Sequence, residues 1–416
     1  MPSKVISSNP SRKCAGALAL PWFPSRPAAK GTQPFAFGEW KGYYASRFAD
    51  VYESWPLDTA NLFLSPRFLA SEEEGLPAQL RPRYLVLEND RGPFAWVALQ
   101  VVTFRALDNI RDQEVWKGLW GKTKRFFARF GNYRILICGH LFIPGEHGWH
   151  VQGTEHTRQA FLRQLGPMLK RVARHEGASV VLCKDFEEPL PFASEGGLHE
   201  LNFQPNMIFD LRPQWKTIDD YLDAMSSKYR IRARRAFKKS EGLLFKELSF
   251  GQIELLAGEL ASLYRDIVEG SGFSLVCAGP EYFVELKRSL GPDFQVTACY
   301  QDDALAGFYS TIRNGGDLEA HFIGFQPELN RSHQIYLNML YRMVEQGIHS
   351  RMNRVVFSRT ALENKISIGA VARPARVYMA HVNPVLNFLL PFAVGLVEPK
   401  EVWTPRHPFR EEGGVD

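Results

Sequence analysis

Cysteine is scarce and scattered. Five cysteines (Cys14, Cys138, Cys183, Cys277 and Cys299) lie far apart in 416 residues, with no Cys-x-x-Cys pair. That excludes a disulfide framework and a zinc ribbon, and predicts a reducing, cytoplasmic setting. Long apolar runs are also missing. The longest, 385–397, is broken by Asn387 and Pro391 and is shorter than the roughly 20 residues that span a bilayer. Near the N-terminus, Pro21 and Pro24 cut short the apolar stretch an export signal needs. Residues 1–40 read as a loosely ordered leader. No large excess of one charge occurs: 50 Lys plus Arg against 45 Asp plus Glu leave +5, too little over this length for a dedicated nucleic-acid binder. There is no Gly-x-Ser-x-Gly elbow, no Gly-x4-Gly-Lys-Ser/Thr loop and no Gly-x-Gly-x-x-Gly fingerprint. A serine hydrolase, a nucleoside triphosphatase and a dinucleotide oxidoreductase are therefore poor readings.

What is present is a soluble-type composition, 45% hydrophobic and 23% charged, with an aromatic content of 13%. Two stretches follow one order of elements. In the first, a hairpin over 83–104 turns at Asn89-Asp90-Arg91-Gly92. A strand over 133–142, a helix over 157–175, Gly177 as its stop and a strand over 179–183 come next. In the second, a hairpin over 295–313 precedes a strand over 318–325. A helix over 333–346, with Gly347 as its C-cap, and a strand over 354–358 complete it. Between them lie a strand over 206–211 and a helix over 217–239, with Asp220 as the capping partner of Thr217. The repetition predicts two similar α/β domains, 41–205 and 206–383, each a mixed central sheet flanked by helices. An apolar, aromatic tail covers 384–416.

Three constellations stand out. Between residues 228 and 239, seven of twelve positions are basic and none is acidic. At helical spacing Arg230, Arg234 and Lys238 share a face suited to phosphates. Over 116–130, Trp116, Leu119, Trp120, Phe126, Phe127 and Phe130 fall within an arc of about 120°. Lys117, Lys122, Lys124, Arg125 and Arg129 take the other side. The pattern suits either a helix docked on its own core or one lying in a membrane interface. In the tail, Lys400, Trp403, Arg406 and Arg410 flank the apolar run and suit a headgroup region. Finally, His147, His150 and His156 lie close together with Glu146 and Glu155, but at no standard zinc spacing, so no metal is expected.

The segment Gln326-Pro-Glu-Leu-Asn-Arg331-Ser332-His333-Gln334-Ile-Tyr336 follows a strand and opens a helix. It resembles the acyl-CoA-binding motif of the GNAT superfamily of N-acyltransferases, with Gln334 and Tyr336 at the glycine positions. Such a loop aims backbone N–H groups at a cofactor pyrophosphate. The tandem arrangement resembles the Fem-type peptidoglycan aminoacyltransferases over roughly 45–383. Asn61-Leu-Phe-Leu-Ser-Pro-Arg-Phe-Leu69, the basic helix, and Arg359-Thr-Ala-Leu-Glu363-Asn-Lys365-Ile-Ser-Ile-Gly369-Ala370 carry that likeness.

The resemblance implies two tandem GNAT-like domains. It also implies an acyl-CoA or acyl carrier protein thioester as co-substrate, held by Arg331, Ser332, His333 and Gln334 together with Arg230, Arg234 and Lys238. Acyl transfer to an amine needs a base, oxyanion donors and an acid for the thiolate. Alternation along 318–325 puts Glu319, His321 and Ile323 on one face. Glu319 and His321 form a candidate relay, with Tyr336 or Tyr309 as acid and Glu363 as a spare base. The amine would attack directly, since no cysteine stands beside an obvious base. The expectation is an N-acyltransferase acting on the amine of a lipid precursor, peripheral on the inner membrane surface through residues 116–130 and the tail. The alternatives are aminoacyl transfer from tRNA to a peptidoglycan precursor, and a non-catalytic protein that binds an acyl carrier or a membrane.

Overall fold

Apolar strands with turn-forming breaks build two sheets. The computed structural model describes residues 31–57, 59–105, 132–201, 204–270, 276–394 and 406–410; the basic-aromatic segment 116–130 lies outside them. The first sheet opens with two antiparallel hairpins, β1 (Thr32–Phe37) with β2 (Trp40–Ala45) and β3 (Leu80–Asn89) with β4 (Gly92–Arg105). It continues with β5 (Asn132–Cys138), β6 (Trp149–Val151), β7 (Val180–Phe186) and β8 (His199–Leu201). The second sheet holds β9 (Asn206–Asp210), β10 (Leu243–Glu247), β11 (Phe294–Gln301), β12 (Ala304–Asn314), β13 (Asp317–Phe325), β14 (Arg354–Val356) and β15 (Val371–Arg373). The final strand, β16 (Arg376–His381), returns to the first sheet. The orders are β1-β2-β3-β4-β5-β7-β16-β8, with β6 on β4, and β10-β11-β12-β13-β14-β9-β15.

The helices before β11 are α1 (Pro66–Gly75), α2 (Glu155–His175), α3 (Ile218–Ala224), α4 (Ser227–Lys239), α5 (Phe250–Gly270) and α6 (Pro280–Leu290). After β13 come α7 (Pro327–His333), α8 (Ile335–His349), α9 (Leu362–Ile368) and α10 (Pro384–Val394). Each sheet is antiparallel except for one parallel pair, β5 with β7 and β13 with β14. A parallel step needs a long crossover, and α2 and α8 supply it. The result is the mixed α/β architecture expected from the repeat, two sheets in tandem flanked by helices.

Local chemistry explains most boundaries. Pro66 sits at the first turn of α1, where its missing N–H costs nothing. Thr217 and Asp220 cap α3 reciprocally. The single helix expected over 217–239 is instead two, because Met225 is extended (ψ 150°) and bridges to Phe409, and Ser226 is extended too. Gly347 is not a cap, since α8 runs on to His349. It is a close-approach residue: a Cβ there would lie 2.8 Å from Leu211 Cδ1 and 3.0 Å from Val355 Cγ2.

The aromatic richness of the sequence collects between the two sheets. One buried cluster joins Phe48, Trp55, Phe63, Phe68, Tyr84 and Trp96 to Tyr282, Phe283, Phe294, Phe308 and Phe322. Burial of such side chains stabilises by about 1.5–3 kcal/mol each. α1 crosses α6 closely enough that a Cβ on Gly75 would lie 3.0 Å from Tyr282 Cα. No described helix is long and apolar enough to cross a membrane.

Candidate active site

β13 pairs with β14 only over Asp317–Glu319 against Arg354–Val356. Beyond Glu319 the two strands part, so Glu319 stands at the vertex of a wedge. Its carboxyl faces a cleft of about 260 Å³ between the sheets. The first sheet and its loops contribute Gly145, Glu146, His147, Asp185 and Glu187. The second contributes Asn206, Asp317, Glu319, Arg354 and Arg373.

Most of these charges are matched. Arg354 grips Asp317 with two bonds of 2.9 and 2.8 Å, and Arg373 reaches Glu187 and Asp210 at 3.4 and 3.2 Å. Three buried atoms on the lining have no partner among the described residues: His147 Nε2, Asn206 Oδ1 and Glu319 Oε2. Buried polar atoms are nearly always bonded, so three orphans in one cleft mark a place built for a polar guest. Burial, reinforced by Asp317, pushes the Glu319 carboxyl well above its usual range against the pull of Arg354 and Lys184. Burial pushes the His147 imidazole down to about 3, and its Nδ1 meets Asn61 Nδ2 at 2.9 Å.

The wall behind the cleft is a buried ionic network joining the sheets. Asp185, at the end of β7, bonds to Lys184 at 2.5 Å, to Arg359 and to the Gly145 N–H at 3.3 Å. Burial alone would raise its carboxyl, but the two cations outweigh that and hold it below the ordinary value. Lys184 also donates to the carbonyls of His140 and Ile143. His140 Nδ1 lies 2.6 Å from Glu72 Oε2, and Gln100 holds the other oxygen of Glu72 at 3.1 Å. Opposite, residues 358, 360 and 361 are left-handed (φ 60°, 68° and 47°), a conformation that costs non-glycine residues energy. Lys365 pins them: its buried Nζ donates to the carbonyls of Phe357, Ser358 and Arg359 at 2.7, 3.3 and 2.5 Å. Burial pushes its ammonium down to about 7. Replacing Lys365 with Met leaves three carbonyls unsatisfied, with an expected loss of about 3 kcal/mol. Calorimetry should show a melting temperature several degrees lower.

The residues singled out in the sequence do not all meet here. Glu319 and His321 share a face, but Ile323 lies on the other, because the pairing of β12 with β13 shifts between Tyr309 and Thr311. The resulting bulge stacks His321 on Phe322 with centroids 3.8 Å apart. His321 bonds Ser310 Oγ at 3.0 Å and Tyr282 Oη at 3.4 Å, not Glu319. Burial pushes its imidazole down to about 3. Tyr336 and Tyr309 pack with α8 on the opposite face of the sheet, and Glu363 is exposed and paired with Arg406 at 2.7 Å. Asp185, Arg359 and Lys365 were not singled out as site residues, although a Lys-Asp pair at the end of the apolar strand Val180–Cys183 is a readable signal of buried charge.

The cofactor loop also differs from expectation. Residues Pro327–His333 form α7, and Gln334 is its left-handed joint (φ 49°) to α8. Arg331 and Ser332 are exposed, while His333 and Gln334 are half-buried. The first turn of α8 is occupied by the chain itself: the Tyr336 N–H donates to Asn330 Oδ1 at 3.2 Å, and Asn338 Nδ2 donates to the carbonyls of His333, Gln334 and Ala236. The Asn338 bonds run to carbonyls and do not occupy N–H groups of the helix start. α4 lies beside it, with Ala233 and Ala236 buried and Arg234, Arg235, Lys238 and Lys239 exposed; Arg230 is half-buried and 3.4 Å from Asp223. Among the described residues no group of His, Cys, Asp and Glu could hold a metal.

No protein-family model matches the chain, and no curated protein matches its sequence. Solved structures do resemble it. The crystal structure of FemX is 12% identical, covers 80% of this chain and 94% of its own, and has a TM-score of 0.49. A tandem GNAT protein from the clavulanic acid biosynthesis pathway is 11% identical over 76% of this chain and 87% of its own, with a TM-score of 0.43. L-PGS from Bacillus licheniformis is 13% identical over 78% and 94%, with a TM-score of 0.43. In its strand order the chain holds two mixed sheets in tandem, each with one parallel pair and one long crossover helix.

Proposed function

We propose that this chain is an N-acyltransferase that moves an acyl group from an acyl thioester to the amine of a lipid precursor, such as a sphingoid-like or amino-acid-headed lipid. The observation that carries the reading is the orphan Glu319 carboxyl at the wedge vertex, facing the cleft. A substrate ammonium entering there loses its proton to the Glu319 carboxylate, whose basicity burial raises. The free amine attacks the thioester carbonyl, the C–N bond forms, and the C–S bond breaks. The departing thiolate then takes up a proton. The edge of β13 beyond Glu319, which β14 leaves unpaired, offers backbone groups to an extended donor arm. Phosphates of the donor would lie on the exposed Arg331, Arg234 and Lys238.

The test is incubation of the whole protein with long- and short-chain acyl-CoA and acyl carrier protein thioesters, with and without lipid amines. Thiol release that depends on the amine, with a product of amide mass, is the expected result. Absence of amine-dependent turnover with every thioester overturns the reading. One observation favours a second donor: the exposed basic helix α4 suits a polyanion such as aminoacyl-tRNA, delivering an aminoacyl group to a peptidoglycan precursor. Activity with aminoacyl-tRNA alone would select it.

A further inference from the structure

The helix α10 is anomalous for a protein surface. Val385, Leu386, Phe388, Leu389 and Phe392 are 67, 50, 72, 48 and 71% exposed, and no charged residue occurs from Val382 to Val397. An apolar patch of this kind marks a site of contact. Its orientation is fixed from beneath. Asn387 accepts the His381 N–H at 2.7 Å and donates to the Gly197 carbonyl at 3.0 Å. Asn383 caps the first turn through the N–H groups of Val385 and Leu386 at 2.9 and 3.2 Å. Among its measured side chains only Asn387 and Leu390, three apart, turn toward the protein. The apolar side chains are held outward by a polar anchor.

The neighbouring element decides what covers them. Beside α10 lies the end of α2, whose only acid is Glu155, in its first turn, and whose Lys170 and Arg174 reach this side, while Arg171 lies over the Phe35 ring at 5.4 Å. Arg174 Nη2 donates to the Val382 carbonyl at 2.9 Å, at the entry to α10. Lys170 Nζ and Asn387 Nδ2 converge on Gly197, where a Cβ would lie 2.5 and 3.5 Å from them. The nearby acids are matched: Glu195 by Arg163 at 3.7 Å and Glu200, on β8, by Arg376 at 3.2 Å. Uncharged apolar side chains bordered by cations complement acyl chains bordered by phosphates. The 11-residue helix is about 16 Å long, about half a bilayer core, so it lies in the interface and does not cross it.

We infer that α10, with the cationic end of α2, docks the protein onto an anionic lipid bilayer, with Phe388 and Phe392 inserted at the headgroup–acyl boundary. This goes beyond the acyl-transfer reading and does not rest on it. The test is co-sedimentation of the full chain with vesicles of 70% phosphatidylcholine and 30% phosphatidylglycerol, and with pure phosphatidylcholine, without measurement of turnover. The wild type should bind the anionic vesicles and release them in high salt. The double variant F388S/F392S should lose about tenfold or more in partitioning per phenylalanine, with an unchanged circular dichroism spectrum because both side chains are exposed. K170E should lose about fivefold or more on anionic vesicles only. As an independent readout, Leu389→Trp should blue-shift its fluorescence on anionic vesicles. Wild-type binding by F388S/F392S, or no blue shift at Trp, overturns the inference. So does a wild-type dimer in sedimentation velocity that F388S/F392S makes monomeric, since a second copy would then be the occupant.

Discussion

Glu319→Gln should abolish amine-dependent acyl transfer and, at the same time, raise the melting temperature at pH 8. The two effects have one origin. As a general base Glu319 is expected to contribute about 10²–10⁴-fold to the rate, and the amide cannot take the proton. The carboxyl is buried, with Oε2 unbonded, and burial raises its folded-state pKa well above the ordinary carboxylate value. A raised pKa means the folded state holds the proton more tightly than the unfolded chain does. The associated stability is fully present below the unfolded pKa and is lost as the pH climbs through the folded one. Glutamine carries no such penalty. The variant should therefore melt above the wild type at pH 8, with the gap closing toward pH 4. A residue with a purely structural role would give the opposite sign, lower stability with the lost bonds. Scanning calorimetry at the two pH values, beside the thioester assay, reads both. Loss of stability at pH 8, or retained turnover, would remove Glu319 from the mechanism.

Asp185→Asn should act in the reverse direction, costing about 3–5 kcal/mol, the range for breaking a buried ion pair by removing one partner. Asparagine tolerates the left-handed backbone of this position (φ 68°), so the loss reports charge and not conformation. Lys184 and Arg359 would be left without their common counter-ion. Here the folded pKa is depressed, by Lys184 and Arg359 against the opposing effect of burial. The stability from Asp185 is present above the unfolded pKa and disappears as the pH falls through the folded one. Urea titration should show wild type and variant far apart at neutral pH and converging in strong acid. A variant as stable as the wild type at pH 7 would mean that the network contributes nothing net.

The contrast between these carboxylates shows what could be read from the chain. Glu319 was legible because alternation along an apolar strand gives each polar residue a face. Ile323 was not, because a bulge at His321 and Phe322 resets the alternation, and a bulge depends on the partner strand. The strands and helices of both repeats were legible in the turn residues between them. The break at Met225 was not, since the contact with Phe409 that accompanies it lies far along the chain. The short helix α7 inside the expected loop was not legible for a related reason: Pro327 starts it and Asn330 bonds the Tyr336 N–H of α8, a contact that only the folded geometry shows. The contacts that build the cleft pair residues far apart in sequence, such as Asp185 with Arg359, and no local pattern announces them.

The placement of β16 in the first sheet, and of β9 between β14 and β15 in the second, has a mechanical meaning. The chain enters the second unit, completes it, and then closes the first by filling the gap between β7 and β8. The first half is not whole until the second has been threaded. The two units behave as the two sides of a laced boot: they are joined through a strand that the first sheet takes from the far end of the chain, and not only through docked surfaces.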